Sequence, residues 1–158
     1  LSRVMKSDFY PQEFDLSAAV SDIAGDITRR TPLENLILDI QQGLMVKADQ
    51  RLVQIALTNL LDNAWKFTGK KEHPRIEFGA KPDGEQTVYY VRDNGAGFDM
   101  AYVDKIFDAF HRLHRMEDYP GTGIGLATVQ RIIARHGGRI WAEGEPGKGA
   151  TFFFTLGT

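Results

Sequence analysis

The stretch DQRLVQIALTNLLDNAWKF, residues 49–67, decides how the chain folds. At about 100° per residue it reads as a helix with Asp49 as N-cap, and Val53, Leu57, Leu60 and Ala64 gather on one face. Asn59, Asn63 and Lys66 fall in a narrow stripe at the border of that face. Asparagine is a weak interior helix residue because its side chain competes for backbone partners. Two of them one turn apart, with a lysine above, need a reason. A solvated helix face is one. An amide-and-ammonium ladder facing a polyphosphate is the other: Asn63 offers a neutral oxygen to a magnesium ion, and Lys66 meets phosphates as a point charge.

Working outward toward the N-terminus, Met45-Val46-Lys47-Ala48 and Leu36-Ile37-Leu38-Asp39-Ile40 read as two strands about Gln42-Gly43. Before them, Phe14-Asp15-Leu16 reads as a brief strand running into a helix with Ala19, Val20, Ile23 and Ile27 on one side and Asp15 or Ser17 as cap. Thr31-Pro32 stops that helix, since the residue before proline is pushed out of the helical region. Residues 1–11 read as a linker or the end of an upstream helix, and the first residue, Leu1, suggests a piece of something longer.

Toward the C-terminus, Arg75 to Ala80 and Gln86 to Arg92 form a hairpin about Pro82-Asp83-Gly84, ending in Asp93-Asn94-Gly95-Ala96-Gly97-Phe98. A short helix is expected over 102–110. A polar stretch to Pro120 lacks periodicity and reads as a mobile loop. Gly121-Thr122-Gly123-Ile124-Gly125 opens a helix to about Arg135, closed by His136-Gly137-Gly138. Two last strands, 139–142 and 150–156, flank a glycine turn. The whole predicts an α/β domain: a mixed, largely antiparallel sheet with helices on one face.

Composition narrows the function classes. The chain has 158 residues, 42% hydrophobic and 25% charged, with net charge −2. That suits one domain with a single core and gives no electrostatic case for nucleic acid or an anionic membrane. There are no cysteines, which excludes disulfides and thiolate metal sites. No apolar run approaches the roughly 18 residues of a membrane span. The four histidines, His73, His111, His114 and His136, show no metal-ligand spacing.

Three clusters carry chemistry. Asp93 sits where a strand meets a glycine turn, and Gly95 and Gly97 let a planar ring approach the backbone, so an acceptor-only carboxylate there suits a base's amino group. Taken alone, the same residues make an ordinary Asp-Asn-Gly turn. Gly121, Gly123 and Gly125 precede a helix, whose N–H groups and dipole can hold phosphate oxygens. A dinucleotide fold fails on context because no strand directly precedes these glycines, and a P-loop fails because Gly147-Lys148 is followed by Gly149 and a strand. Arg112 and His114, between the clusters, are a solvated charge run or, if the loop closes over a nucleotide, Arg112 is a phosphate fork.

In this order, Asn59-Leu-Leu-Asp-Asn63-Ala-Trp-Lys66-Phe67, Asp93-Asn-Gly95-Ala-Gly97-Phe98, Ile106-Phe107-Asp-Ala-Phe110-His-Arg112-Leu113, Gly121-Thr-Gly123-Ile-Gly125-Leu126 and Gly147-Lys-Gly149-Ala-Thr151-Phe152 resemble the N, G1, F, G2 and G3 boxes of sensor histidine kinases. The nearest likeness is to kinases attached to phytochrome-type or PAS sensors. The resemblance implies the Bergerat fold, a two-layer α/β sandwich with a mobile ATP lid, shared with gyrase and the large heat-shock chaperones. It implies ATP and Mg2+ as cofactors, with Asn63 as metal ligand and Asn59 and Lys66 on the phosphates. Asp93 becomes the adenine anchor, with Gly95 and Gly97 shaping its pocket, and Phe67 and Phe98 join the ATP-binding set. Arg112 and Leu113 belong to the lid, Gly121, Thr122, Gly123, Ile124, Gly125 and Leu126 wrap the phosphates, and Thr151 closes the set. Two residues depart from the family pattern: Phe67 replaces the commoner tyrosine, and Ala150 stands where Ser or Thr is frequent.

The resemblance also implies a catalytic domain, 12–158, that phosphorylates a histidine on a separate helical dimerisation domain and feeds a response regulator, in the cytoplasm. No histidine here is followed by the acidic residue that usually serves as base, so the substrate helix lies elsewhere, and the isolated domain is expected to be a monomer that binds ATP without autophosphorylation. Two alternatives remain: a gyrase-type hydrolase, and a nucleotide-binding module without transfer. The hydrolases carry a glutamate where this chain has Asn59, an amide that takes no proton at neutral pH, and Asp62 is the nearest carboxylate.

Overall fold

A computed structural model of the chain describes residues 8–108 and 125–157. Among the described residues, seven strands and three α-helices make an α/β sandwich. β1 (Gln12–Asp15) leads directly into α1 (Leu16–Arg30), and Asp15 caps that helix by accepting the Ala18 N–H at 3.0 Å. β2 (Ile37–Ile40) and β3 (Met45–Ala48) precede α2 (Gln50–Thr68), the helix of the opening stretch, which Asp49 caps through the Leu52 N–H at 3.2 Å. β4 (Arg75–Asp83) and β5 (Gln86–Asp93) form the long hairpin. α3 (Gly125–Arg135), β6 (Ile140–Glu145) and β7 (Gly149–Phe154) complete the chain.

Five strands form one sheet in the order β2-β4-β5-β7-β6, with β2 parallel to β4 and every other pair antiparallel. β1 and β3 pair antiparallel as a separate two-stranded sheet. The two strands read about Gln42-Gly43 therefore do not pair with each other. Ser17, wholly buried, is the physical reason. Its hydroxyl donates to the Gln41 carbonyl at 2.6 Å and accepts the Leu44 N–H at 3.1 Å, so both ends of the connection are tied to the start of α1. The chain is thereby led from one sheet to the other.

α2 lies at the centre of the core. Val53, Leu57, Leu60 and Ala64 are buried as the periodicity predicts, but so are Leu52, Ala56, Leu61, Trp65 and Thr68. A helix with the sheet beneath it and α1 and α3 alongside has apolar neighbours over more than one face. Ile76, Phe78, Val91, Phe152 and Phe154 face it from the sheet, and Val20, Ala24 and Ile27 of α1 with Val129, Ile132 and Ile133 of α3 join the same core. No helix among the described residues is long and apolar enough to cross a membrane.

Over 102–110 the expected helix is instead a 3₁₀ segment, Met100–Lys105, because Asp99 caps the chain early by accepting the Ala101 N–H at 2.9 Å. Ile106 and Phe107 then turn into the core. Phe98, ahead of this segment, is also buried. The polar stretch expected to be a mobile loop lies outside the described residues.

Candidate functional site

The site is built where the C-terminal half of α2, the end of β5 and the start of α3 converge. Asn59, Asn63, Lys66 and Phe67 are all half-buried along one stripe of α2. Asn59 donates its amide Nδ2 to the Ile55 carbonyl at 3.1 Å. That fixes the amide, and its Oδ1 stands so close to α3 that a Cβ on Gly125 would sit 3.2 Å away.

Asp93, at the last position of β5, is buried with a relative exposure of 7%. Its Oδ1 accepts the Gly95 N–H at 2.9 Å, and the Ala150 N–H also bonds the carboxylate. Burial raises the carboxyl to a pKa of about 6, against the opposing pull of those two N–H groups. A slot lined by Phe67, Asp93, Gly97, Phe98, Leu126, Ala150 and Phe152 opens beside it. Aromatic and aliphatic walls with one buried carboxylate suit a flat heteroaromatic ring that presents an amino donor.

The walls are held by backbone contacts only glycine permits. A Cβ on Gly95 would lie 2.2 Å from the Phe67 carbonyl oxygen, which accepts the Ala96 N–H at 2.9 Å. Gly97 has φ +66°, and a Cβ there would lie 2.0 Å from the Glu145 carbonyl oxygen. The Gly147 N–H bonds the Ala96 carbonyl at 2.7 Å, and Lys71 Nζ bonds the Gly147 carbonyl at 2.7 Å. The end of α2, the 94–97 loop and the β6–β7 turn are thus joined into one wall.

Of the residues singled out from the sequence, Phe67, Asp93, Gly97, Phe98 and Leu126 share the slot, Gly95 stands behind it, and Asn59 meets Gly125 across the α2–α3 gap. Asn63 and Lys66 continue the Asn59 stripe. Arg112, Leu113, Gly121, Thr122, Gly123 and Ile124 lie outside the described residues. Thr151 is not brought to the slot: on β7 it is paired with Arg92, whose Nε reaches its hydroxyl at 3.3 Å. Its neighbours Ala150 and Phe152 line the slot instead. Side chains alternate across a strand, so one residue of offset changes the face. Ala150 is the register partner of Asp93, a relation that only the folded sheet shows. Among the described residues no cluster of His, Asp or Glu could hold a metal ion.

Residues 48–158 match the family described as histidine kinase-, DNA gyrase B- and HSP90-like ATPase. The chain belongs to this ATPase family. Over its whole length it is 42% identical to the methanogenesis regulatory histidine kinase FilI of Methanothrix harundinacea, covering 18% of that protein. It is 37% identical over 90% of its length to the phytochrome-like protein Cph1 of Synechocystis, covering 19% of it. The chain therefore spans about a fifth of the length of these two relatives. The fold superposes on a structure of full-length ShkA in complex with AMPPNP with a TM-score of 0.78, at 25% identity, over 99% of this chain and 33% of that one.

Within this ATPase family the relatives place the chain with the ATP-binding catalytic domains of histidine kinases, phytochrome-type kinases among them. The gyrase-type alternative is not favoured. Asp62, the carboxylate nearest the amide stripe, lies 3.8 Å from Arg30 at the end of α1. It faces another helix instead of the slot.

Proposed function

We propose that this domain transfers the γ-phosphate of ATP to a histidine on a separate helical dimerisation domain, from which a response regulator takes it. The observation that carries this reading is the adjacency of the Asp93 slot to the Asn59–Gly125 gap, a ring-sized acceptor site beside a polar helix stripe. Asp93 accepts the purine's amino group while Phe67, Phe98 and Phe152 exclude water from the ring. Asn59 and Lys66 meet the phosphates, a task the resemblance also gives to residues 121–124 and Arg112. Asn63 is half-buried and makes no side-chain hydrogen bond among the described residues, so its amide oxygen fits a magnesium ion that takes its other ligands from phosphate and water. Such an ion would neutralise charge developing on the transferring group. With Asn59 where hydrolases carry a glutamate, the stripe offers water no base, which favours transfer to an incoming imidazole over hydrolysis.

Residues 12–158 form the catalytic unit in this reading, and 1–11 join it to a preceding helical hairpin. The domain alone is a cytoplasmic monomer that binds ATP and Mg2+. Incubated with [γ-32P]ATP it labels nothing above background; added to the hairpin of its own protein in trans, it phosphorylates the hairpin histidine. Proximity accounts for several orders of magnitude in such a step, so the contrast is large. Steady phosphate release by the isolated domain, abolished by Asp62→Ala, would instead establish the hydrolase.

A further inference from the structure

An N-cap residue leaves its own backbone N–H outside the helical ladder, and a Glu or Gln at the third helical position often reaches back to accept it. In α2 the cap is Asp49 and the third position is Leu52, which has no acceptor. The Asp49 N–H is satisfied from another helix: it donates to Nε2 of His136 at 3.0 Å. His136 Nδ1 lies 2.9 Å from the Ile132 carbonyl of α3. An amide N–H can only donate and a carbonyl can only accept, so both bonds exist together in one form of the ring, neutral with the proton on Nδ1. The ring edge packs on Phe9 with centroids 4.9 Å apart. The Asp49 carboxylate is fully engaged too, by the Tyr10 and Leu52 N–H groups and by Arg51 at 3.6 Å.

α2 and α3 run antiparallel. Asp49 at the start of α2 meets His136 just past the end of α3, and Asn59 further along α2 meets Gly125 at the start of α3. At about 1.5 Å of rise per residue, a slip of one residue at the His136 end moves the Gly125 end by the same 1.5 Å. Gly125 stands so close to Asn59 that a Cβ on it would lie 3.2 Å from the amide oxygen, so such a slip changes what faces Asn59. We propose that His136 is a positioning residue: its Nδ1-protonated imidazole ties α3 to the cap of α2 and so fixes where the glycine end of α3 stands relative to Asn59. The proposal rests on the reading that Asn59 meets the nucleotide phosphates, and it is tested apart from that reading as well as with it.

Long-range 1H–15N spectra of the nucleotide-free domain are expected to show a proton on Nδ1 and none on Nε2 of His136. His136→Phe, which keeps the ring against Phe9 but has no nitrogen, is expected to weaken ATP binding about fivefold to tenfold by calorimetry, the equivalent of about one hydrogen bond. His136→Gln, whose amide oxygen reaches the Nε2 position, is expected to return affinity to within about twofold of wild type. An Nε2-protonated ring, wild-type affinity in the Phe variant, or a Gln variant that binds no better than the Phe variant would each overturn the proposal. Should the Phe variant fail to fold, the spectrum and the affinity of the Gln variant against wild type still decide it. A wrong nucleotide reading shows separately, as unchanged ATP binding in Asp93→Asn.

Discussion

Asp93→Asn is expected to weaken ATP binding about a hundredfold and at the same time to raise the melting temperature of the nucleotide-free domain by several degrees at pH 7.5. The two effects have one cause. The carboxylate is buried, accepts the Gly95 and Ala150 N–H groups, and is held at a pKa of about 6 by burial. The displacement from 3.8 to about 6 corresponds to roughly 3 kcal/mol of penalty on the charged form in the apo domain. An amide carries no such penalty, though one of its two ends must find an acceptor. A purine amino group needs the acceptor that the two N–H groups already occupy in Asn, and losing a hydrogen bond to a charged group at that point is worth about 2–3 kcal/mol. Calorimetric titration and thermal unfolding of the same preparation check both. Loss of affinity together with a lower melting point would mean that the carboxylate is a structural anchor and not a strained ligand-binding group.

The same residue sets a pH dependence whose sign is fixed. Its folded pKa of about 6 lies above the ordinary 3.8, so in that window the folded apo domain holds a proton the unfolded chain has lost. The stability this contributes is fully present below about pH 3.8 and is lost as pH rises through about 6. Asp93→Asn should flatten that part of the profile. ATP binding runs the other way, because the ionised carboxylate is the acceptor: affinity falls as pH drops below about 6.

The parts of this design that follow a period were legible from sequence. Caps and apolar spacing gave α1 and α2 to within a residue or two, because Asp15 and Asp49 satisfy their own helix starts locally. The β2–β3 relation was not legible, since it hangs on Ser17, a small polar residue whose two bonds are made to the Gln41–Leu44 connection more than twenty positions away. In the site, Asp93 and Gly97 announce themselves through residue type beside a turn, while Phe98 and Leu126 are marked only by the resemblance. Thr151 entered through the resemblance, and in the structure the pleat of β7 turns its hydroxyl toward Arg92. Ala150 and Phe152 face the slot, yet nothing in their residue types marks them. His136 likewise reads as part of a glycine-rich helix stop, and only the tertiary fold gives it the cap of another helix as a partner.

Gly97→Ala is expected to destabilise the domain by about 3–5 kcal/mol, lowering the melting temperature by roughly 10 °C and abolishing nucleotide binding. Two separate effects act at this position. Its φ of +66° is disfavoured for any residue with a side chain, by about 1–2 kcal/mol, and the new Cβ would lie 2.0 Å from the Glu145 carbonyl oxygen and 2.7 Å from that of Gly149. Both obstacles are backbone, so relief requires the 94–97 loop to pull away from the β6–β7 turn, which breaks the Gly147 N–H bond to Ala96. Gly147 provides the control, because its φ is +77° but a Cβ there meets nothing within 4 Å. Gly147→Ala should therefore carry the backbone penalty alone, about 1 kcal/mol and a few degrees, with nucleotide binding retained. Differential scanning calorimetry of the two variants side by side separates close approach from backbone handedness. If Gly97→Ala proved no less stable than Gly147→Ala, the wall of the slot would be a loose loop, and the picture of Asp93 held rigidly beside it would have to be given up.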